Sequence, residues 1–368
     1  MPRTLIALTL LIAACSSGSD PVVIGLAGPF SQPRGQSMKL AAELARAEIN
    51  RAGGINGRPL DLAIFDDSAN ADVSVRVAQR LYDDDRVLAV VGHLTSGATL
   101  AAAPIYNGGA TPVVEITPSA SSPSVSAAGP YTFAVCPTDL AHGVRLARWA
   151  WQRLGASTVA VLYQNDDYGR GVRTAFTRSF EKLGGKVIAQ DPYLPGMNAY
   201  DPYLRLFAER RPDALMIAGS RVEAESIMAG MRAVGLSVPV LGADGLSGAE
   251  TSAAIPASLY ITLAYHPDQP GERNREFVQA YAAAYGGRLP DHRGAGAYDA
   301  IYLLARAIRE GGASRDRIKT YLDGVGTATP AFEGVSGRFV FGPNGDVPDK
   351  DVLITMATGG HLIVLSQE

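Results

Sequence analysis

The sequence predicts an α/β protein made of two doubly wound, parallel-sheet lobes. Three observations predict it. The chain has 368 residues, 47% of them hydrophobic and 19% charged, enough for two domains that each bury a core. Its apolar runs are short, nearly continuous and separated by amphipathic stretches, the pattern of parallel strands covered on both faces. The same rhythm restarts near residue 159 after a complete first series, and the second series is too long to extend one sheet.

The first series opens with a β-branched strand at 22–25. A helix follows, with Met38, Ala41, Ala42, Ala45 and Ile49 on one face and a stop at Gly53-Gly54. A strand at 60–65, a helix over 73–82, an apolar strand at 87–92, a helix over 98–106 and a strand at 112–116 complete it. In the second series, strands are expected at 159–163, 187–189, 214–218, 239–242 and 259–263, with helices over 172–183 and 223–234 among them. Helices over 276–285 and 297–310 come next, then strands at 337–341 and 352–356. Composition does not assign these last segments to either lobe.

The N-terminus carries Arg3, an apolar run over 5–12 and the small residues Ala13-Ala14 before Cys15. A charged start, a short apolar core and small residues form a secretory signal, and the run is about half the roughly 20 residues that span a bilayer. Ile12-Ala13-Ala14-Cys15 resembles the bacterial lipobox, which implies removal of residues 1–14 as a signal peptide and diacylglycerol on the Cys15 thiol. Residues 15–20, with Ser16-Ser17-Gly18-Ser19, then form a lipidated, flexible tether to a membrane.

Composition narrows the function. The formal net charge is -3, no basic stripe is evident, and nucleic acid is not an expected partner. With Cys15 acylated, Cys136 is the only other cysteine, so no disulfide framework is expected and Cys136 reads as a core filler. His93, His142, His266, His292 and His361 are scattered without zinc-ligand spacing. Gly92 to Thr99 has the outline of a phosphate loop, but Ala98 stands where that loop needs lysine. There is no Gly-x-Gly-x-x-Gly after the first strand and no Gly-x-Ser-x-Gly elbow. No cofactor, no metal and no enzymatic activity are expected.

The remaining candidates lie just beyond strand ends, where open α/β sheets bind ligands. Ser96 follows the third strand, after Leu94 and Thr95, and opens a helix whose free N–H groups suit a carboxylate. Ser119-Ala120-Ser121 follows the fourth strand. Tyr168 lies in Asp166-Asp167-Tyr168-Gly169 after the first strand of the second series, and Asp244 precedes Gly245 after a later one. A buried carboxylate at Asp244 would pair with an ammonium group. Taken singly, Ser96 is as readily a helix cap, Asp244-Gly245 a turn pair and Tyr168 a packing residue; their joint placement marks a site.

Several blocks carry a further likeness. Gly28-Pro29 leads to Ile49-Asn50-Arg51-Ala52-Gly53-Gly54-Ile55-Asn56-Gly57; Asp66-Asp67, Ile116-Thr117-Pro118-Ser119-Ala120, Asp166-Asp167-Tyr168-Gly169 and Ala297-Tyr298-Asp299-Ala300 follow in order. Nearly end to end, the chain resembles the periplasmic leucine/isoleucine/valine-binding proteins and their wider family, the type I solute-binding proteins of ABC importers. The resemblance implies a periplasmic-binding-protein-like fold with a three-strand hinge. One lobe would comprise 21–139 and 268–348, the other 140–267 and 349–368. It also implies an amino acid or related zwitterion bound between the lobes by hinge closure, an ABC permease and ATPase as partners, a monomer, and a periplasmic or cell-surface location.

By that resemblance Ser96 and Ser121 hold the ligand carboxylate, Ser119 offers its carbonyl beside Ala120, Tyr168 closes over the ligand and Asp244 binds the ammonium. Leu94, Thr95 and Arg221 join the pocket. The chain departs from the family at Asp244, where glutamate is usual, and at Ala69 and Thr95, where some relatives have a cysteine pair. It departs again where Arg221 replaces aromatic residues, with Arg34 and Arg293 near other wall positions. These arginines either turn outward or serve a second acidic group. A ligand-sensing receptor of the same fold and a binder of a non-amino-acid carboxylate are the alternatives.

Overall fold

The computed structural model describes residues 20–365; the expected export signal, Cys15 and most of the expected tether lie outside the described residues. Among the described residues no helix is long and apolar enough to cross a membrane.

The first lobe alternates β1 (Val22–Gly28), α1 (Pro33–Arg51), β2 (Leu60–Asp66), α2 (Ala71–Asp83), β3 (Val87–Val91), α3 (Ser96–Asn107), β4 (Val114–Thr117) and β5 (Thr132–Ala134). Its sheet runs β2-β1-β3-β4-β5, parallel throughout. β1 and β4 are buried along their whole length, which explains the lack of polar alternation. α1 buries Met38, Ala41, Ala42, Ala45 and Ile49 as its spacing predicts, together with Leu44. The turn after it needs glycine at position 54: φ is +77°, and a Cβ there would lie 2.1 Å from the Arg58 carbonyl oxygen.

The second lobe contains α4 (Asp139–Gln152), β6 (Thr158–Gln164), α5 (Asp167–Lys182), β7 (Lys186–Tyr193), α6 (Asp201–Arg210), β8 (Ala214–Ala218), α7 (Arg221–Ala233), β9 (Val240–Gly242) and β10 (Leu259–Leu263). Short 3-10 turns at Asp244–Leu246 and Ala249–Thr251 lie between the last two strands. The chain then forms α8 (Glu272–Ala284), α9 (His292–Gly311), α10 (Arg315–Gly324), the hairpin β11 (Phe332–Gly334) and β12 (Gly337–Phe339), and finally β13 (Leu353–Thr358) and β14 (His361–Val364).

Packing settles what composition left open. Phe277, Tyr281, Tyr298, Ile301, Leu304, Ile318 and Phe339 share one apolar core with Ile24, Leu26, Met38 and Val91, so the segment from α8 to β12 covers the first sheet. β13 pairs antiparallel with β10 and extends the second sheet, ordered β14-β13-β10-β9-β8-β6-β7. The chain therefore crosses between lobes three times: after β5, after β10 and between β12 and β13. The strand expected at 337–341 is shorter and belongs to a separate two-stranded hairpin.

Candidate functional site

The first lobe delivers its candidate residues from loops after β3 and β4. A buried contact fixes the first loop: His93 Nδ1 lies 2.6 Å from Asp67 Oδ2, with His93 Nε2 3.3 Å from the Tyr106 hydroxyl. The His93 carbonyl accepts hydrogen bonds from Thr99 and Thr117 hydroxyls. These contacts place Thr95 as the N-cap of α3, its Oγ1 accepting from Ala98 N, and Ser96 as the first helical residue, 2% exposed. Ser96 Oγ accepts from Ser122 N at 3.2 Å, tying the two loops together. Leu94 is buried in the first-lobe core. Thr117 Oγ1 accepts from Ala120 N and Ser119 N, shaping the second turn. The Ala120 carbonyl takes the Cys136 thiol at 3.5 Å; that cysteine is buried, and burial pushes its pKa up.

Ser121 is buried, and its hydroxyl has no hydrogen-bond partner among the described residues. It lies beside the Asp139 carboxyl, outside hydrogen-bond geometry, while its carbonyl accepts from Asp139 N at 2.7 Å. Burial lifts the Asp139 carboxyl well above the usual range.

From the second lobe, Asp166 caps α5 through Gly169 N. This orients Tyr168, whose hydroxyl donates to Asp244 Oδ1 at 2.9 Å and accepts from Gly245 N at 2.8 Å. Gly245 must be small: a Cβ there would lie 2.4 Å from the Gly219 carbonyl oxygen and 2.8 Å from the Tyr168 ring. Asp244 is 3% exposed. Burial pushes its carboxyl up, but His142, His292, Arg293 and the Tyr168 hydroxyl together hold it below the ordinary value. Burial also lowers the His142 pKa and brings that of His292 to about 4. With a pKa of about 4, His292 is neutral at pH 7, and Asp244, held below its ordinary value, is ionised there.

The lobes meet at this cluster. His292 Nε2, on the first-lobe helix α9, lies 3.5 Å from Asp244 Oδ2. Arg293 Nη2 donates to the Asp244 carbonyl at 3.3 Å, and its Nη1 pairs with Asp291 at 3.0 Å. A Cβ on Gly97 would lie 4.0 Å from Asp167 Oδ2, so the first turns of α3 and α5 also face each other. A cavity of about 310 Å³ opens on one side of His292, lined also by Ser247, Glu250, Tyr265, His266 and Asp291. Ser96, Ser121 and Tyr168 are not on its walls; the buried, unpartnered polar atoms mark the site better than this opening does.

Of the residues singled out by sequence, Ser96, Ala120, Ser121, Tyr168, Asp244 and Arg293 come to the junction between lobes. Ser119 is half-buried at its edge. Arg221 does not join them: it is exposed and pairs with Glu225 one helical turn on, at 2.7 Å. The structure adds Asp139, His142 and His292, which carry no local motif.

Two lobes built on parallel sheets, with ionised and unpartnered polar groups sealed between them, define a two-lobed ligand-binding architecture. The chain belongs to the periplasmic binding protein family, which it matches over residues 21–361. It is similar to a curated "Amino acid binding protein" from Pseudomonas aeruginosa, 29% identical over 80% of this chain and 79% of the relative. Among solved structures it is similar to a leucine binding protein from Thermotoga maritima, at 26% identity and a TM-score of 0.85, covering 94% of this chain and 98% of the other. A solute binding protein from R. palustris in complex with benzoate shares the fold, at 21% identity and a TM-score of 0.82, covering 94% and 96% of the two chains.

Proposed function

We propose that this protein is the solute-binding component of an ABC importer and takes an amino acid or related small zwitterion between its lobes. The observation that carries the reading is the buried, ionised Asp244, held by Tyr168 in one lobe and facing the other. A carboxylate kept charged out of water needs a cationic partner, and a ligand ammonium supplies it. At the other end, the free N–H groups of the α3 N-terminus, Ser96 and the unpartnered Ser121 hydroxyl suit a carboxylate. Ser119 and Ala120 border that end; Leu94 and Thr95 shape its loop.

Because the two ends lie on different lobes, ligand binds the closed arrangement better and shifts the population toward it. Residues 21–139 with 268–348 move as one body and 140–267 with 349–368 as the other. Outside the described residues, Cys15 carries lipid after removal of 1–14 and holds a monomer at the membrane surface, in the periplasm or on the cell surface. The relatives' names support an amino acid. The test is calorimetric titration of ligand-free protein with the twenty amino acids and their des-amino analogues. One amino acid binding at one per chain, with its des-amino analogue at least about tenfold weaker, is expected; a des-amino acid binding best would favour a simple carboxylate ligand instead.

A further inference from the structure

Two arginines occupy the same position on two helices whose first turns touch: Arg34 is the second residue of α1 and Arg293 the second of α9, Asp291 N donates to Ser37 Oγ at 3.3 Å, and a Cβ on Gly294 would lie 2.4 Å from that oxygen. A cation in a first turn faces the positive end of the helix dipole, and neither first turn contains an acidic residue. For Arg293 the cap compensates, because Asp291 accepts from the helix N–H groups and pairs with the guanidinium. Arg34 has no such cap. Its neighbour is Gln32, whose Oε1 accepts from Arg34 Nε at 2.8 Å, and among the described residues no ion pair or hydrogen bond engages Nη1 or Nη2.

Arg34 is half-buried, and the charges that reach it come from both lobes: Arg293 and Asp67 from the first, Glu223 and Asp166 from the second. Each of those carboxylates is engaged elsewhere. Asp67 holds His93 and Ala69 N, Asp166 caps α5 through Gly169 N, and Glu223 takes Gly196 N and the Ser220 hydroxyl. Burial, then repulsion from Arg293, hold the Arg34 pKa below its ordinary value, so a nearby anion would relieve both.

Resting on the reading of the cleft as an amino-acid site, we infer that the ligand carries a second carboxylate seated on Arg34 beside Arg293, and so belongs to the acidic amino acids. A guanidinium offers a carboxylate two parallel donors, whereas an aliphatic side chain gains nothing from it.

The experiment is calorimetric titration with glutamate, aspartate, glutamine, leucine and benzoate, on wild type, Arg34→Met and Arg34→Lys. Glutamate or aspartate should bind at least about tenfold tighter than glutamine and leucine. Arg34→Met should weaken the acidic ligand roughly tenfold to a hundredfold and erase the preference over glutamine, with partial recovery in Arg34→Lys. If Arg34→Met does not fold, the wild-type preference for glutamate or aspartate over glutamine decides. Leucine or glutamine binding tighter than both acids overturns the inference and leaves the amino-acid reading standing. None of the five binding overturns the inference alone, and benzoate binding tightest overturns both.

Discussion

Replacing Asp244 by Asn removes one charge and little else. The side chain keeps its shape and an oxygen that accepts the Tyr168 hydroxyl, now 2.9 Å from Oδ1, and the Gly245 N–H remains on Tyr168. Asp244 is almost fully buried and ionised at pH 7, so its contact with an ammonium group is a charge-assisted hydrogen bond out of water. Such a bond contributes about 1.5–3 kcal/mol, a loss of roughly tenfold to a hundredfold in affinity at about 1.4 kcal/mol per decade. The loss should be confined to ligands bearing the amine: calorimetry should show Asp244→Asn weakening the amino acid by that factor and its des-amino analogue by far less. Equal losses for both compounds would refute Asp244 as the ammonium partner.

Three other outcomes are expected. Tyr168→Phe deletes the hydroxyl shared by Asp244 and Gly245 N and strands a buried donor, at a cost of about 1–3 kcal/mol. Affinity and the ligand-induced fall in radius of gyration, measured by small-angle scattering, should drop together; Trp149 and Trp151 fluorescence offers a second readout. His292, facing Arg293, Asp244, Asp291 and His142, has its pKa depressed to about 4 by burial. Below its unfolded value near 6.5 the unfolded chain binds a proton that the folded one refuses, so stability falls as pH drops from 6.5 toward 4, by roughly 3 kcal/mol. Urea melts of His292→Gln should show a shallower slope in that window, and an unchanged slope would contradict its neutral state. Cys15→Ala should abolish lipid attachment, read as loss of the acyl mass and release from membranes.

The fold was legible because its central strands are apolar on both faces and its helices are not. The runs at 87–92 and 214–218 are unmistakable for that reason, and β3 and β8 lie there. α10 was not legible: it buries only Ile318, Tyr321 and Leu322 beneath charged residues, too thin a stripe to read. β5 has three residues, and its short apolar run resembles any buried loop. The place of Ser96 and Asp244 followed from their position after strands. Arg221 also follows a strand, yet α7 begins at that residue and turns its side chain to Glu225. His292 and Asp139 had no sequence signal, since each is buried only by what the other parts of the chain bring against it.

The central claim is that one zwitterion is held between the lobes with its amine on Asp244. Native mass spectrometry tests it most directly, on protein unfolded to strip ligand, refolded and mixed with an equimolar pool of the twenty amino acids. Wild type should retain one amino acid per chain, chemically unchanged, and Asp244→Asn should lose it under the same conditions. No adduct on wild type, or an adduct kept equally by Asp244→Asn, would contradict the account.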